Sequence, residues 1–599
     1  MPQLRGEVTE RSVTIYMTGA LCTQPAQVLE SAQAPRVIQS FLSRLRRRES
    51  EGLALLGTLP TEGTPDQPSE GARQLAHLLA LLVDMGPEEI RVKAPDVAGM
   101  LGEAHGLAEL VEELYDHWRG FERYLIFEGG ADDSRDRARE GHLPFIENNQ
   151  HLTALVREAY RRIEHHLRGH WPRVYRQLPA GANMSLLIDQ ANWPCPGGAY
   201  ETLREIRLVR LALLVLPVIL YPRRNFRQGK IVQLDRNPLE GTRLDPREWL
   251  GLPLRVGELV MHVYFHREYL SLAVSLVNLF ELAGHVEARC KPDGILVFGL
   301  PPEQVGEELC AFYVDEQEGL VLGAVQRSEE VDYFGYFKKN LLTLHNVVMM
   351  QRGRLPLHGA MARLSLRRGP TVGLVIVGDS GAGKSETLDA FQTLAADWIS
   401  DMTTIFDDMG SLARGEEPPV RGYGTEIGAF VRLDDLDAGY AFGHLDRSIL
   451  MSPHRQNARV VVPLTEYEEV VAGVGVDMLL YANNYESVDE ETPVLEFFRE
   501  PEQALAVFRA GKRAAKGTTD ERGLVGSYFA NPFGPAQMKD LHEPLARQYF
   551  EALFAAGIPV GQVRTRLGVP GWAREGPREA AQALFRHLLE GQGPSEQSR

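Results

Sequence analysis

The chain has 599 residues, 44% of them hydrophobic and 24% charged, and a formal net charge of −17 at pH 7. A chain this long and apolar builds more than one core, and its acidity excludes a protein that grips nucleic acid or anionic membrane through overall charge, so an anionic substrate must meet local basic side chains. The four cysteines, Cys22, Cys195, Cys290 and Cys310, are widely spaced with no Cys-x-x-Cys pair, which indicates neither a disulfide framework nor a zinc cluster and fits a reducing cytosol.

Residues 1–20 lack the basic start and apolar block of a secretion signal, so a cytoplasmic location is expected. The polar stretch 57–71 reads as a loop. Leu107, Leu110, Val111, Leu114, Tyr115, Trp118, Phe121 and Leu125 are spaced for one helix face, and Leu152, Leu155, Val156, Tyr160, Ile163 and Leu167 for another. Arg157, Arg161, Arg162 and Arg168 fall on other positions of the second helix and read first as a solvated face. Residues 1–210 are therefore expected to form a mostly α-helical accessory region. The apolar run 211–221 is about half the roughly 20 residues that span a bilayer. It also contains Pro217, and so predicts a buried strand or short helix.

From Pro217 onward the texture changes to short β-branched runs, at 294–298, 319–322 and 458–462, with helical stretches expected at 260–283 and 541–556. This alternation predicts a mixed α/β (α+β) catalytic body with a first lobe at 211–345, a P-loop lobe at 346–575 and a tail at 576–599, whose last ten residues fray.

The chemistry concentrates in the P-loop lobe. The apolar segment 372–377 leads into Gly378-Asp379-Ser380-Gly381-Ala382-Gly383-Lys384-Ser385-Glu386-Thr387, which opens a helix-compatible stretch. This is a phosphate-binding loop. Its glycines let backbone N–H groups converge on phosphate oxygens, Lys384 reaches the terminal phosphates and the Ser385 hydroxyl ligates Mg²⁺. Asp401, after the short strand candidate Trp398-Ile399-Ser400, is the expected carboxylate partner of that Mg²⁺. His358, in Leu355-Pro356-Leu357-His358-Gly359, and the pair Lys338-Lys339 carry no metal role on spacing alone.

Taken in order, Tyr333-Phe334-Gly335-Tyr336-Phe337-Lys338-Lys339, Leu355-Pro356-Leu357-His358, the loop, Asp401 and Asn457-Ala458-Arg459-Val460-Val461-Val462-Pro463 resemble the motif series of ATP-dependent phosphoenolpyruvate carboxykinases. Gly517-Thr518-Thr519-Asp520-Glu521-Arg522-Gly523 and Phe529-Ala530-Asn531-Pro532-Phe533 are similar to that family's C-terminal end, and the similarity covers about 217–571. The resemblance implies a P-loop core of carboxykinase type that converts oxaloacetate and ATP to phosphoenolpyruvate, ADP and CO₂. Lys384 and Arg459 would stabilise the phosphoryl group in flight, and Tyr333 and Lys338 would line the site. Ser385 and Asp401 would hold the nucleotide's Mg²⁺, Lys339 and His358 would ligate a second ion, usually Mn²⁺, and Arg522 would sit near the nucleotide.

Two departures stand out. The family's Asp-Asp pair is Asp401-Met402 here, so one carboxylate is missing or supplied by Asp407 or Asp408. The family's Gly-Arg-Ser-Pro-Lys-Asp segment is absent, and Arg223, Arg224 and Arg227 lie in about its place. The loop's own wording, and Arg421-Gly422-Tyr423-Gly424, also resemble the related HPr kinase/phosphorylase family, which implies phosphorylation of a hydroxyl on a protein or small metabolite. A third reading, a nucleotide-sensing scaffold, gives the N-terminal helices a protein partner. All three expect a nucleotide ligand, and none expects nucleic acid or membrane.

Overall fold

Amphipathic helices and short β-branched strands alternate to give a mixed α/β protein with several mixed sheets. The computed structural model describes residues 6–17, 22–57, 59–102, 104–128, 135–171, 173–174, 178–367, 371–394, 399–433, 445–515 and 523–590. Trp398 and Arg522 lie outside the described residues. The chain divides into two compact units, Met1–Gln190 with Val209–Val218, and Ala191–Leu208 with Ile219–Arg599. Among the described residues no helix is long and apolar enough to cross a membrane.

The first unit packs the helices Ala34–Arg47, Glu70–Asp84, Ala104–Gly120 and Arg135–Arg168 around a core that includes Phe41, Leu42, Leu75, Leu79, Leu107 and Ile163. Ser69 starts the second of these by accepting from the Ala72 N–H, which satisfies one of the helix's orphan donors. The unit is not helical throughout. Ser12–Met17, Glu122–Glu128 and Met184–Asp189 form a parallel ladder, with Gly6–Val8 antiparallel on its edge. The helix expected to run through Leu125 stops at Gly120, and Leu125 is a fully buried strand residue. A strand buried on both faces reads as a continuous apolar run, and so short a run does not distinguish strand from helix. The arginine face is salted, as expected for solvated side chains: Arg162 pairs with Asp84 at 3.1 Å and with Glu158.

In the second unit, Trp249–Val256, Leu259–His266, Gly294–Leu300, Leu320–Gln326, Cys310–Asp315 and Ile231–Gln233 lie side by side in that order. Residues 260–283, expected as a helix, are instead the strand Leu259–His266 followed by short helical turns. Val263, Tyr264 and Phe265 are β-formers buried on both faces, so packing overrode the helix-like spacing of their apolar neighbours. The helix Phe334–Gln351 follows, nearly all of it buried.

A second sheet of the unit positions the site. Among the described residues its eight strands run Val474–Gly475, Val420–Gly424, Ile399–Arg414, Leu355–Leu366, Thr371–Val377, Met478–Asn483, Val560–Arg564 and Leu495–Phe497. One face carries a core built with Phe508, Tyr549 and Phe550, and the other a core built with Phe391, Ala580 and Leu584. A small sheet pairs Gly428–Arg432 and Ile449–Met451 with Arg459–Pro463. The helix expected at 541–556 spans Lys539–Ala555, and the last described helix is Glu575–Glu590.

Candidate functional site

The register of this sheet brings together residues that are far apart in the chain. Gly359 pairs with Val377 on one side and Asp408 on the other, so His358, the start of the loop at Gly378 and the carboxylates Asp407 and Asp408 fall in one row. Successive side chains on a strand project to opposite faces. Asp407 therefore faces Ser385 and Asp408 faces the helix that carries Lys338 and Lys339.

Gly378 begins the loop by donating its N–H to the His358 carbonyl at 2.9 Å. Gly381 and Gly383 adopt φ of 76° and 90°, and a Cβ on Gly383 would stand 2.6 Å from Thr565 Oγ1. Only glycine meets both demands at Gly383. Thr565 donates to the Ala382 carbonyl at 2.7 Å and Asn484 Nδ2 to the Gly381 carbonyl at 2.9 Å, so the loop's carbonyls are held by neighbours. Its residues 384 onward form the first turn of the helix Lys384–Leu394, whose amide end attracts anions. Lys384 is buried at 6% exposure with Nζ 3.2 Å from the Asp379 carbonyl, and Ser385 Oγ donates to Asp407 Oδ1 at 2.8 Å. Asp379 pairs with Arg513 Nε at 2.8 Å and accepts from the Ser380 N–H. Burial works against its charge, but His358 and Arg513 together hold its carboxyl below the usual range. Glu386 is exposed on the helix.

Beside the loop lies a buried charge cluster. Asp408 receives Lys338 Nζ at 2.8 Å and Lys339 Nζ at 2.6 Å, and its Oδ1 lies 2.9 Å from His358 Nε2. Lys338 also meets Glu426 at 3.0 Å. Burial opposes the charge on each of these groups, and their neighbours decide the outcome. Burial prevails at Lys339, aided by Lys338, and lowers its pKa, whereas Asp408 and Glu426 raise that of Lys338. Lys338 and Lys339 hold Asp408 well below the usual range, while Glu426, more deeply desolvated than compensated, is pushed up to about 7. Lys339 is thus the amine closer to giving up its proton, the property a metal-binding lysine needs.

His358 Nδ1 is 2.7 Å from the Ala530 carbonyl, which accepts only if that nitrogen carries the proton. Nε2 points the other way, 2.9 Å from Asp408 Oδ1 but not aligned with it as a hydrogen bond. Glu426 Oε1 is the oxygen that faces Lys338 Nζ at 3.0 Å. An imidazole nitrogen, a carboxylate and an amine of lowered pKa thus converge on one point, although among the described residues no group of three or more His, Cys, Asp or Glu side chains is placed to hold a metal ion.

Two aromatic rings frame the cluster. Phe430 lies 5.8 Å from the ring of Tyr333, 5.4 Å from the Arg459 guanidinium and 6.0 Å from Lys338 Nζ. Phe533 lies 4.7 Å from Lys339 Nζ, 5.3 Å from the Arg227 guanidinium and 6.0 Å from the ring of His358. Arg227 is therefore the member of its arginine-rich segment that reaches the cluster, whereas Arg223 is paired with Glu329.

Asp401 is not brought to the loop. It is exposed, accepts from Thr403 Oγ1 at 3.0 Å and pairs in register with Ser365. Six residues separate it from Asp407 along one strand, about 20 Å at ~3.3 Å per residue. Glu426, Phe430 and Arg513 were absent from the sequence reading, and no local motif marks them. Arg522 lies outside the described residues. No protein-family model matches this chain, and no curated protein matches it.

Proposed function

We propose that this protein is an ATP-dependent phosphotransferase of the carboxykinase type, built around a P-loop core and two adjacent cation positions. The supporting observation is the split of two consecutive carboxylates: Asp407 on Ser385 of the loop, and Asp408 on Lys339 and His358. Ser385 and Asp407 would hold the Mg²⁺ of ATP, and Lys339, His358 and Asp408 would hold a second ion such as Mn²⁺. When bound, such ions neutralise the triphosphate and polarise a substrate oxygen.

Lys384, at the loop, and Arg459, on Phe430, supply positive charge for the transferred phosphoryl group. Lys338 stays charged beside Asp408 and Glu426 and keeps the cluster electrostatically closed. Phe430 and Phe533 wall it from water, which strengthens each charge interaction inside. Tyr333 and Arg227 offer a hydroxyl and a guanidinium to a small anionic substrate.

The test is to incubate purified protein with ATP, Mg²⁺, Mn²⁺ and oxaloacetate, which should yield phosphoenolpyruvate and CO₂ and lose that yield in His358→Ala. Nucleotide binding without oxaloacetate turnover rejects the proposal. Phosphate transfer from labelled ATP to a hydroxyl acceptor, lost in Asp407→Asn and indifferent to oxaloacetate, would favour the HPr-kinase-like reading. That reading is favoured by the wording of the loop. It is weakened at Arg421, which is engaged by the carbonyls of Gly473 and Glu417.

A further inference from the structure

The first unit contains a cavity of about 160 Å³, walled by the helices Ala34–Arg47, Ala104–Gly120 and Arg135–Arg168 and the strand Ser12–Met17. Protein cores close such spaces, because every wall atom facing a void forfeits its dispersion contacts. Water does not solve the problem here, since a buried water needs two to four polar partners. Val13, Leu79, Val111, Leu125 and Ile163 are apolar walls at single-digit exposure.

Several polar side chains of the wall are already engaged. Ser31 Oγ donates to the Val28 carbonyl at 2.7 Å, Trp118 Nε1 to the Ala180 carbonyl at 2.8 Å and the Tyr160 hydroxyl to Glu112, while Gln33 Oε1 accepts from Arg36. Trp118 and Tyr160 thus turn hydrocarbon toward the space. Tyr160 is stacked on Tyr115, with centroids 4.1 Å apart and planes 11° from parallel, so a rigid aromatic pair forms part of the wall. Burial keeps the Cys22 thiol neutral by raising its pKa. Among the described residues no charged side chain lines the cavity. Cys22, Ser31, Tyr115 and Tyr160 are only half-buried, so the cavity is not fully enclosed.

We propose that this cavity is a binding site for a small, uncharged, single-ring aromatic molecule. The size fits: an engineered apolar cavity of about 150 Å³ stays dry and takes up benzene. The chemistry fits as well, because an occupant with a charge would find no charged partner, and one with several hydrogen-bonding groups too few, to repay its lost hydration. The stacked tyrosines and Trp118 favour a ring over an aliphatic chain through offset and edge contacts.

The experiment titrates toluene into the full-length protein, followed by binding heat and by Tm. Saturable binding with one site per chain and a rising Tm is expected. Ala159→Phe places a ring in the void and should weaken toluene binding by at least about ten-fold, with unchanged circular dichroism and a Tm no lower than that of the unmodified protein. Where that variant fails to fold, Val156→Trp on the half-buried wall carries the same comparison. Benzoate, the same ring with a charge, should bind at least about ten-fold more weakly than toluene. The proposal is overturned if toluene shows no saturable binding, if a folded cavity-filling variant binds it as well as the unmodified protein, or if benzoate binds equally tightly.

Discussion

Asp407 and Asp408 are neighbours in the chain with opposite assignments: the first accepts a hydrogen bond from Ser385 at 2.8 Å and the second an ammonium from Lys339 at 2.6 Å. The alternation of a β-strand accomplishes this division without a turn or an insertion. It places a loop-side and a helix-side carboxylate within one residue of each other.

Asp408 is the partner of two buried ammonium groups, so Asp408→Asn leaves Lys338 and Lys339 undercompensated. A loss of about 3–5 kcal/mol is expected by denaturant titration, the range for breaking a buried ion pair from one side. Asp401→Asn, at an exposed strand end, should change stability by no more than about 0.5 kcal/mol and leave turnover intact. Equal effects of the two substitutions would contradict the geometry.

Ser385→Ala and Asp407→Asn remove the two ends of one hydrogen bond beside the loop. Both should weaken Mg²⁺-dependent ATP binding by roughly ten-fold or more, while binding of nucleotide in chelator changes little. Isothermal titration with and without EDTA separates the two quantities. An equal loss in both conditions would assign the pair to the loop's shape instead of the cation.

Gly383→Ala is expected to be costly out of proportion to its size. The backbone is at φ 90°, and the added carbon would collide with Thr565, which also holds the loop through Ala382. A destabilisation of about 1–3 kcal/mol with loss of nucleotide binding should follow, read by Tm and by titration. Gly353→Ala, where a Cβ meets nothing within 4 Å although φ is 73°, isolates the backbone part of that cost.

His262 is buried with neither ring nitrogen hydrogen-bonded, edge-on to Trp193 at 5.3 Å. Burial lowers its pKa to about 3, while the unfolded chain titrates near its ordinary value of about 6.5. The unfolded state therefore binds the proton first as pH falls. The contribution of this residue is complete above about pH 6.5 and is lost on the way down to about pH 3, at up to ~1.4 kcal/mol per pH unit. His262→Phe keeps the edge contact and removes the titration. Its unfolding free energy should fall less steeply than that of the unmodified protein between about pH 6 and 4, and parallel curves would refute this origin of acid sensitivity.

The glycine turn at 378–387, from strand to helix, was legible because its requirements are local: glycines at strained φ, then a lysine and a hydroxyl opening a helix. Lys338, Lys339 and His358 could be picked out only through the resemblance, since nothing in their own neighbourhood distinguishes them from solvated or packed residues. Asp401 was expected from its place after a short strand candidate downstream of the loop and from the resemblance. What decides the partner of Ser385 is the register of a sixteen-residue strand against Leu355–Leu366, which chain distance does not encode. Glu426, Phe430 and Arg513 reach the site across long sequence separations. The strands Glu122–Glu128 and Leu259–His266 were read as helix because burial on both faces erases the alternation that marks a strand.

His358 has two attachments: its carbonyl receives the first N–H of the loop, and its ring faces Asp408. A ligand that shifts the loop at Gly378 therefore pulls on the strand that aims the imidazole. An ion that fixes the imidazole in turn stiffens the mouth of the loop. If the loop takes a nucleotide and the cluster an ion, as proposed, filling either place would change the free energy of filling the other, with His358 as the coupler between them.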